Sequence, residues 1–263
     1  MTIPYFSARS LLTAAALGLS LIIGATSAAP ARADVTAPQR ADIEAVIHDY
    51  LLQHPEILRE ALTELDRKEK AQEAAARISA VSTQKATIFD SSHQAVVGNP
   101  NGTVTLVEFF DYNCGYCKQS LADIGQLIKN DPNLRVVLKD FPILSPGSVE
   151  ASHIAIALRS QFKGDKYWQF HSRLLAMRGA IGKAQALALA KDMGADMVQL
   201  ARDTESDEVR SSLQEVAVLA DSLALTGTPS FVIGQDVVVG ALGYDEIKSK
   251  LDSVCKCGKV SCG

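Results

Sequence analysis

The sequence has no excess of basic residues, and this absence limits the functions that it can have. Its 263 residues include 26 lysines and arginines against 30 acidic residues, for a formal net charge of −4. A mildly acidic chain lacks the positive surface that binds nucleic acid or an anionic membrane, so we expect no nucleic-acid partner. The sequence also lacks a glycine-rich phosphate loop, a nucleophilic serine elbow and a zinc-hydrolase helix motif, which argues against those classes of enzyme.

Long apolar runs are absent after residue 33, and the single run before it has the pattern of a leader. Arg9 precedes an apolar stretch from Leu11 to Ile23, and Ala31-Arg32-Ala33 follows it. A basic start, an apolar stretch and an Ala-x-Ala site predict a signal peptide, residues 1–33, cleaved near Ala33. A retained membrane anchor is the alternative. Cleavage would change the net charge from −4 to −6. Export would deliver the cysteines to an oxidising compartment.

The next segment, residues 34–86, is predicted to be helical and unable to fold alone. Two apolar stripes recur at three- and four-residue steps on either side of Pro55: Ile43, Val46, Ile47, Tyr50 and Leu51, then Ile57, Leu58, Ala61, Leu62 and Leu65. A charged, alanine-rich stretch from Asp66 to about Lys85 follows and predicts a solvated helix. Two short amphipathic helices need a partner surface, which is either the main domain or a second copy of the chain. Because the solvated helix separates the stripes from the main domain, we favour a homo-oligomer, either a dimer or a trimer.

From about residue 87 the pattern becomes α/β. A turn at Asn99–Gly102 precedes an apolar strand at Thr103–Phe110, and a helix then runs to about Lys129. The remaining elements are predicted as a strand at Leu134–Lys139, mostly helix over Ser148–Leu225, a hairpin at Ser230–Ile233 and Val237–Val239, and a helix at Asp245–Val254. Strands and helices in this order predict an α/β domain over residues 87–263, with a helical insertion at about 146–226.

Cys114-Gly115-Tyr116-Cys117 is the motif that carries chemistry. In the first turn of a helix, cysteines three residues apart can bond, and the first lies near unpaired N–H groups that stabilise its thiolate. Cys114 is then the nucleophile and Cys117 the resolving thiol of a redox-active disulfide. Half of a zinc site and an inert structural disulfide are the alternatives. Zinc normally needs a second pair of ligands at similar spacing, and the sequence has none nearby.

In four segments the chain resembles the DsbA family of bacterial thiol–disulfide oxidoreductases, which have a thioredoxin fold. The segments are VVGNPNGTVTLVEFFDYNCGYC, VVLKDFPIL, KYWQFH and TGTPSFVIG. The N-terminal HDYLLQHPEIL resembles the oligomerising extension of the ScsC branch of that family. The resemblance implies a periplasmic thiol:disulfide oxidoreductase that acts on substrate proteins with cysteines, exchanges electrons with a membrane redox partner, and needs no cofactor.

Further site residues follow from this resemblance. Thr228 and Pro229 match a cis-proline loop that faces the active-site disulfide, and with Tyr116 they are expected to contact the substrate. Glu108 matches a buried acid that relays a proton to or from Cys117. Burial would raise its pKa, whereas an acid at a solvated strand end is the alternative.

The residues between the two cysteines favour isomerase or reductase activity. Gly115 and Tyr116 supply no histidine, whose cation would favour the thiolate and make the disulfide more oxidising. This pair, with threonine before the proline, resembles oligomeric periplasmic disulfide isomerases. A monomeric dithiol oxidase of the DsbA type is the alternative.

Three further cysteines, Cys255, Cys257 and Cys262, lie close to the end of the sequence. They could form an auxiliary disulfide, bind a soft metal such as Cu(I), or be incidental thiols. A copper-binding protein that uses these cysteines is therefore the competing class of function.

Overall fold

Two helices open the part of the chain that the structure describes. The structure is a computed structural model, and it describes residues 36–257; the predicted signal peptide, residues 1–33, lies outside this range. Helix α1 spans Ala37–Gln53 and helix α2 spans Pro55–Thr83. Proline suits the start of α2 because the first turn of a helix leaves its N–H groups without partners in any case.

By its contacts the chain divides into two units, Met1–Ala61 and Leu62–Gly263. Within the first unit, no side chain of residues 36–61 is buried. Six large apolar side chains in this range are about half exposed or more: Ile43, Val46, Ile47, Tyr50, Leu52 and Leu58. The predicted apolar stripes therefore lie on the surface of the single chain.

In the second unit, α2 changes from a solvated to a packed helix. Its charged part carries exposed ion pairs one turn apart, such as Asp66 with Lys70 at 2.8 Å. Towards its end, Arg77 donates a hydrogen bond to the Ala224 carbonyl at 3.0 Å, and Val81 is buried. The predicted helix is confirmed as far as Thr83, but its last turns are packed rather than solvated.

One mixed sheet of five strands forms the centre of the second unit. The strands are β1 (Ala95–Gly98), β2 (Val104–Phe110), β3 (Leu134–Asp140), β4 (Ser230–Ile233) and β5 (Asp236–Val239), in the spatial order β1-β3-β2-β4-β5. Strands β2 and β3 are parallel, and every other neighbouring pair is antiparallel. The two central strands are buried almost throughout, which explains their continuous apolar sequence.

Helix α4 (Gly115–Asn130) connects the two parallel strands. A parallel pair requires such a crossover, so α4 begins just beyond the carboxyl end of β2. Open α/β sheets bind ligands at this end of their strands. The topology therefore sets the CGYC motif at the edge of the sheet where chemistry is expected.

Helices cover both faces of the sheet. The helical insertion contains α5 (Pro146–Leu158), α6 (Gly164–Leu175), α7 (Lys183–Asp192), α8 (Met197–Thr204) and α9 (Asp207–Ser222); α3 (Lys85–Phe89) precedes the sheet and α10 (Tyr244–Cys257) follows it. One apolar core contains the inner sides of α4 to α8 and α10, and a second contains the end of α2, α3 and most of the buried side of α9. The predicted α/β class, helical insertion and N-terminal helical extension are confirmed.

Two buried ion pairs join β3 to the insertion. Lys139 Nζ lies 3.1 Å from Glu215 of α9, and Arg159, which follows α5, pairs with Asp140. Burial raises the pKa of Asp140 and lowers that of Lys139, while their partners oppose both shifts. Because an unpaired charge at these positions would be costly, the pairs specify how the insertion docks on the sheet.

The clearest difference from the sequence prediction is β1, which was not predicted as a strand. It has four residues at the sheet edge and pairs antiparallel with β3, Val96 opposite Val137. So short a strand gives almost no period-two signal. The hairpin prediction is confirmed, with β4 and β5 paired around Gly234 and Gln235.

Candidate active site

Asp111 shapes the turn that carries the chain from β2 into α4. Its Oδ1 accepts a hydrogen bond from the backbone N–H of Asn113 at 2.7 Å, and its Oδ2 accepts one from Leu144 at 2.9 Å. The Asp111 carbonyl accepts a third from the N–H of Cys114 at 3.0 Å. An aspartate side chain that binds its own backbone two residues on is a common way to form a tight turn. The turn presents Cys114 at the start of the helix.

Cys114 is the N-cap residue of α4, with its sulfur among the first N–H groups of the helix. The backbone N–H of Cys117 donates to Cys114 Sγ at 3.1 Å, and Cys114 Sγ lies 3.1 Å from the Thr228 carbonyl oxygen, to which it donates when protonated. The pKa of Cys114 is lowered to about 6, mainly by a hydrogen bond from the Cys117 thiol. The N–H groups of Cys117 and Tyr116 act in the same direction, whereas burial opposes them. Cys114 is thus mostly thiolate at neutral pH.

Cys117 lies one turn further along the helix and is fully buried. Its hydrogen bond to Cys114, its burial and the nearby charge of Glu108 all raise its pKa, in that order of importance. Both cysteines are free thiols. The pair therefore consists of one sulfur that ionises easily and one that keeps its proton until the first sulfur has reacted.

Glu108 lies in the middle of β2, between Leu138 of β3 and Phe231 of β4. Its side chain is 1% exposed, and neither carboxyl oxygen has a hydrogen-bond partner in the described part of the chain. Burial raises its pKa to about 8, and the charge of Cys114 contributes to the shift. The alternative of a solvated acid at a strand end is therefore wrong.

The loop before β4 brings Thr228 and Pro229 against the motif. Their peptide bond is cis, as the resemblance predicts. The carbonyl of Thr228 contacts Cys114 Sγ, and the carbonyl of Pro229 accepts a hydrogen bond from Gly240 at 2.8 Å. The structure thus brings Thr228 and Pro229 next to Cys114 and Cys117, although Cys114 and Thr228 are 114 residues apart in sequence.

Tyr116 is the member of the predicted substrate-binding set that faces solvent, with 63% of its surface exposed. Ile143 and Leu144 are also about half exposed, and the N–H of Leu144 binds Asp111 in the turn before the motif. Apolar surface is therefore available close to the start of α4.

The cysteines near the end of the sequence stand apart from this site. Cys255 is a free, exposed thiol on α10, whereas Cys262 and the side chain of Cys257 lie outside the described residues. Within residues 36–257, no cluster of three or more histidine, cysteine or acidic side chains could hold a metal ion. Metal binding by the three cysteines stays a prediction from the sequence.

Asp111 and Asn113 are the site residues that the sequence analysis did not single out. The amide of Asn113 makes hydrogen bonds to Ile181 and to Ser148, more than 30 residues away. The D-x-N pattern just before the motif could have indicated the turn made by Asp111. The distant partners of Asn113 leave no pattern in a single sequence.

Two solved structures show how this chain compares with known proteins. A thioredoxin-like oxidoreductase from Silicibacter pomeroyi DSS-3 is 38% identical; the match covers 65% of this chain and 98% of that one, with a TM-score of 0.62. BcfH from Salmonella enterica Typhimurium is 27% identical; the match covers 85% of this chain and 97% of that one, with a TM-score of 0.71. Both comparisons agree with the thioredoxin-like fold.

Two family models match different parts of the chain. The model described as a DSBA-like thioredoxin domain matches residues 105–252. The model described as the copper resistance protein ScsC N-terminal domain matches residues 39–72. These matches confirm both resemblances inferred from the sequence.

The first matches to curated proteins cover a smaller share of those proteins. The Na(+)/H(+) antiporter NhaA 1 of Salinispora arenicola (strain CNS-205) is 27% identical over 146 residues, which are 55% of this chain and 22% of the antiporter. The chain therefore spans about a fifth of the length of the first curated relatives that it matches. Within residues 36–257, none of the helices has the length and apolar character needed to cross a membrane.

The raised pKa of Glu108 predicts that stability depends on pH through this residue. Folding raises its pKa from about 4.5 to about 8, so its contribution to stability is fully present below pH 4.5 and is lost as pH rises to 8. Glu108→Gln keeps the shape without titrating. We expect the reduced variant to match the wild type near pH 4 and to exceed it by roughly 3 kcal/mol at pH 7.

Urea unfolding of the reduced proteins at several pH values measures this difference. Glu69→Gln, which removes an exposed carboxylate from α2, is the matched control. A Glu108→Gln variant that is no more stable than the wild type at pH 7 would show that Glu108 is not held protonated.

Proposed function

Because the chain belongs to the family of DSBA-like thioredoxin domains, we propose that it catalyses thiol–disulfide exchange on proteins through Cys114 and Cys117. The observation that carries this proposal is the environment of Cys114. Its sulfur accepts the N–H of Cys117 at 3.1 Å, and its pKa is about 6. A thiol of this kind is both a nucleophile and a good leaving group at neutral pH.

In the first step, the Cys114 thiolate attacks one sulfur of a substrate disulfide. A bond forms between Cys114 Sγ and that sulfur, the substrate S–S bond breaks, and the other substrate sulfur leaves as a thiolate. The Thr228 carbonyl lies 3.1 Å from Cys114 Sγ, so backbone groups of this loop can hold the substrate chain. We assign substrate contacts to Thr228, Pro229 and Tyr116.

The mixed disulfide can then resolve in two ways. In isomerisation, a thiolate of the substrate attacks the mixed disulfide, which restores the Cys114 thiolate and leaves the enzyme reduced. In reduction, Cys117 attacks Cys114 Sγ, so the enzyme gains a disulfide and the substrate leaves with two thiols. A dithiol partner must then return two electrons, and we assign this role to a membrane redox partner.

Glu108 serves the second route as a proton relay. Once Cys114 is in the mixed disulfide, its charge is gone, and Cys117 must lose a proton in order to attack. Loss of the Cys114 charge removes one of the causes that raise the pKa of Glu108 to about 8, so the carboxyl can release its own proton and its carboxylate can then take up the proton of Cys117. The electrostatic effect of Glu108 on Cys117 supports this role.

The residues between the cysteines favour isomerase or reductase activity over oxidase activity. Gly115 and Tyr116 bring no cation next to Cys114, so the reduced form gains no stabilisation from an ion pair between them. A milder disulfide oxidises substrate dithiols less readily, and its dithiol form is a better reductant once a partner has reduced it; isomerisation and reduction both start from that reduced form.

We further propose that the N-terminal helices join copies of the chain. The apolar residues Ile43, Val46, Ile47 and Tyr50 lie on one side of α1, and each is about half exposed or more. A single chain leaves this stripe in water, whereas a dimer or trimer would bury it. Several active sites in one oligomer raise the effective concentration of thiolate around a bound substrate, which suits isomerisation.

The proposed organisation follows the sequence prediction. Residues 1–33 are a signal peptide, residues 34–86 an extension for oligomerisation, and residues 87–263 the catalytic domain. Such a chain would work in the periplasm, where substrate proteins acquire their disulfides.

Refolding of scrambled ribonuclease tests the proposed activity. We expect the reduced protein to restore ribonuclease activity, because a free Cys114 thiolate can open wrong disulfides. Cys114→Ser is expected to abolish the effect, since it removes the nucleophile. Cys255→Ser removes an exposed thiol outside the site and is the control that keeps activity.

The contrary result is equally specific. If the protein rapidly oxidises reduced ribonuclease but fails to reactivate the scrambled form, it is a dithiol oxidase and the isomerase proposal is wrong.

Light scattering on the chain without residues 1–33 tests the oligomer. We expect a mass of two or three chains, and Ile43→Lys is expected to shift it towards one chain because it places a charge within the apolar stripe. Ala45→Lys adds the same charge on the opposite side of α1 and is expected to leave the mass unchanged. A wild-type mass of one chain would contradict the proposal.

A further inference from the structure

Both residues that flank the CGYC motif reach the same loop of the helical insertion. Asn113 precedes the motif, and Lys118 follows it. Lys118 Nζ donates a hydrogen bond to the Met177 carbonyl at 2.8 Å. Asn113 Oδ1 accepts the N–H of Ile181 at 2.7 Å, and its Nδ2 donates to the Ile181 carbonyl at 2.9 Å. The loop between α6 and α7, residues 177–181, is therefore fastened at both ends to the active-site segment.

A third contact fixes the same loop from the insertion. An added Cβ at Gly147, in the first turn of α5, would lie only 2.6 Å from the Ile181 carbonyl. Glycine at this position thus allows the backbone of the loop to approach α5 closely. Asn113 Nδ2 also donates to Ser148 Oγ at 3.0 Å, which links the motif to that turn of α5.

These contacts leave the middle of the loop open to solvent. Ile181 is buried in the main apolar core, whereas Arg178, Gly179 and Ala180 are exposed. Asn113 directly precedes Cys114 in the chain, and its side chain binds Ile181. One end of the loop is therefore hydrogen-bonded to the residue next to the nucleophile. This exposed segment, held at both ends by residues next to the motif, is therefore available to a polypeptide joined to Cys114 Sγ.

The fold does not depend on these hydrogen bonds to hold the insertion on the sheet. The pairs Lys139–Glu215 and Asp140–Arg159 already join β3 to the insertion through buried charges. Lys118 binds the loop at Met177, whereas Asn113 binds it at Ile181 and also binds Ser148 in the first turn of α5. Their placement on either side of the motif points to a role at the site.

We propose that Asn113 and Lys118 are positioning residues that hold residues 177–181 as a wall of the binding site for protein substrates. The proposal rests on the function proposed above, because it assigns the wall to polypeptide disulfides. The loop acts on binding of the substrate chain and leaves the intrinsic reactivity of the Cys114 thiol unchanged. Small thiol reagents reach Cys114 without touching the wall, whereas a protein substrate contacts both.

The test compares a small reagent with a protein substrate on Asn113→Ala and Lys118→Met. Alkylation of Cys114 by iodoacetamide is followed by mass spectrometry of its peptide, and reactivation of scrambled ribonuclease is measured over a range of substrate concentrations. We expect alkylation within about twofold of the wild type, and a KM for ribonuclease raised about tenfold with a smaller change in kcat. A merely structural role would not divide the two reactions in this way.

Three further variants sharpen the test. Lys118→Arg keeps a cationic donor for the Met177 carbonyl and is expected to restore the KM. Lys129→Met removes an exposed lysine from the far end of α4 and is expected to behave as the wild type. Gly147→Ala pushes the loop from the side of α5 without touching the motif, and we expect it to raise the KM as well.

Two outcomes would overturn the proposal. Alkylation and ribonuclease kinetics that fall together would mean that Asn113 and Lys118 act on the thiol itself. An unchanged KM in Lys118→Met and Gly147→Ala would mean that the loop does not contact the substrate. A wild-type protein without activity on ribonuclease would instead refute the proposed function, so the two failures can be told apart.

Discussion

The hydrogen bonds that Cys117 donates to Cys114 Sγ, from its thiol and from its backbone N–H, are the interactions on which the rest of the site depends. They exist because the chain leaves β2, turns at Asp111 and starts α4 at Cys114, so that the sulfur takes the place of an N-cap oxygen. The parallel pairing of β2 with β3 requires a helix at this point, and the fold therefore supplies the electrostatic environment that activates the thiol. The same sulfur also contacts the carbonyl of Thr228, whose peptide bond to Pro229 is cis.

The ionisable groups of the site shift one another's pKa values. Cys114 ionises easily, and its negative charge helps to keep Cys117 and Glu108 protonated. When Cys114 becomes part of a mixed disulfide, that charge disappears, and the constraint on the two buried groups is relaxed. An acid without hydrogen-bond partners in the centre of a sheet costs stability, and such costs are concentrated at functional sites.

Much of the fold and the reactive pair could be predicted from the sequence, because both have local signals. The continuous apolar run of β2, the CxxC spacing and the turn residues of the β4–β5 hairpin are readable within a few residues. The burial of Glu108 and the cis bond at Pro229 needed the resemblance to a family. Contacts across long separations could not be read: β1 is too short to show a period, and the partners of Asn113 lie up to 68 residues away. The ion pairs of Lys139 with Glu215 and of Asp140 with Arg159 could not be predicted for the same reason, because the partners lie 76 and 19 residues away.

The lowered pKa of Cys114 can be measured through the pH dependence of its alkylation. The rate of alkylation of Cys114 by iodoacetamide follows its thiolate fraction, and mass spectrometry separates it from the other cysteines. With a pKa of about 6, we expect the rate to rise up to a pH of about 6 and to be nearly constant above pH 7. A rate that continues to rise through about pH 8.5, as for an ordinary cysteine, would contradict this expectation.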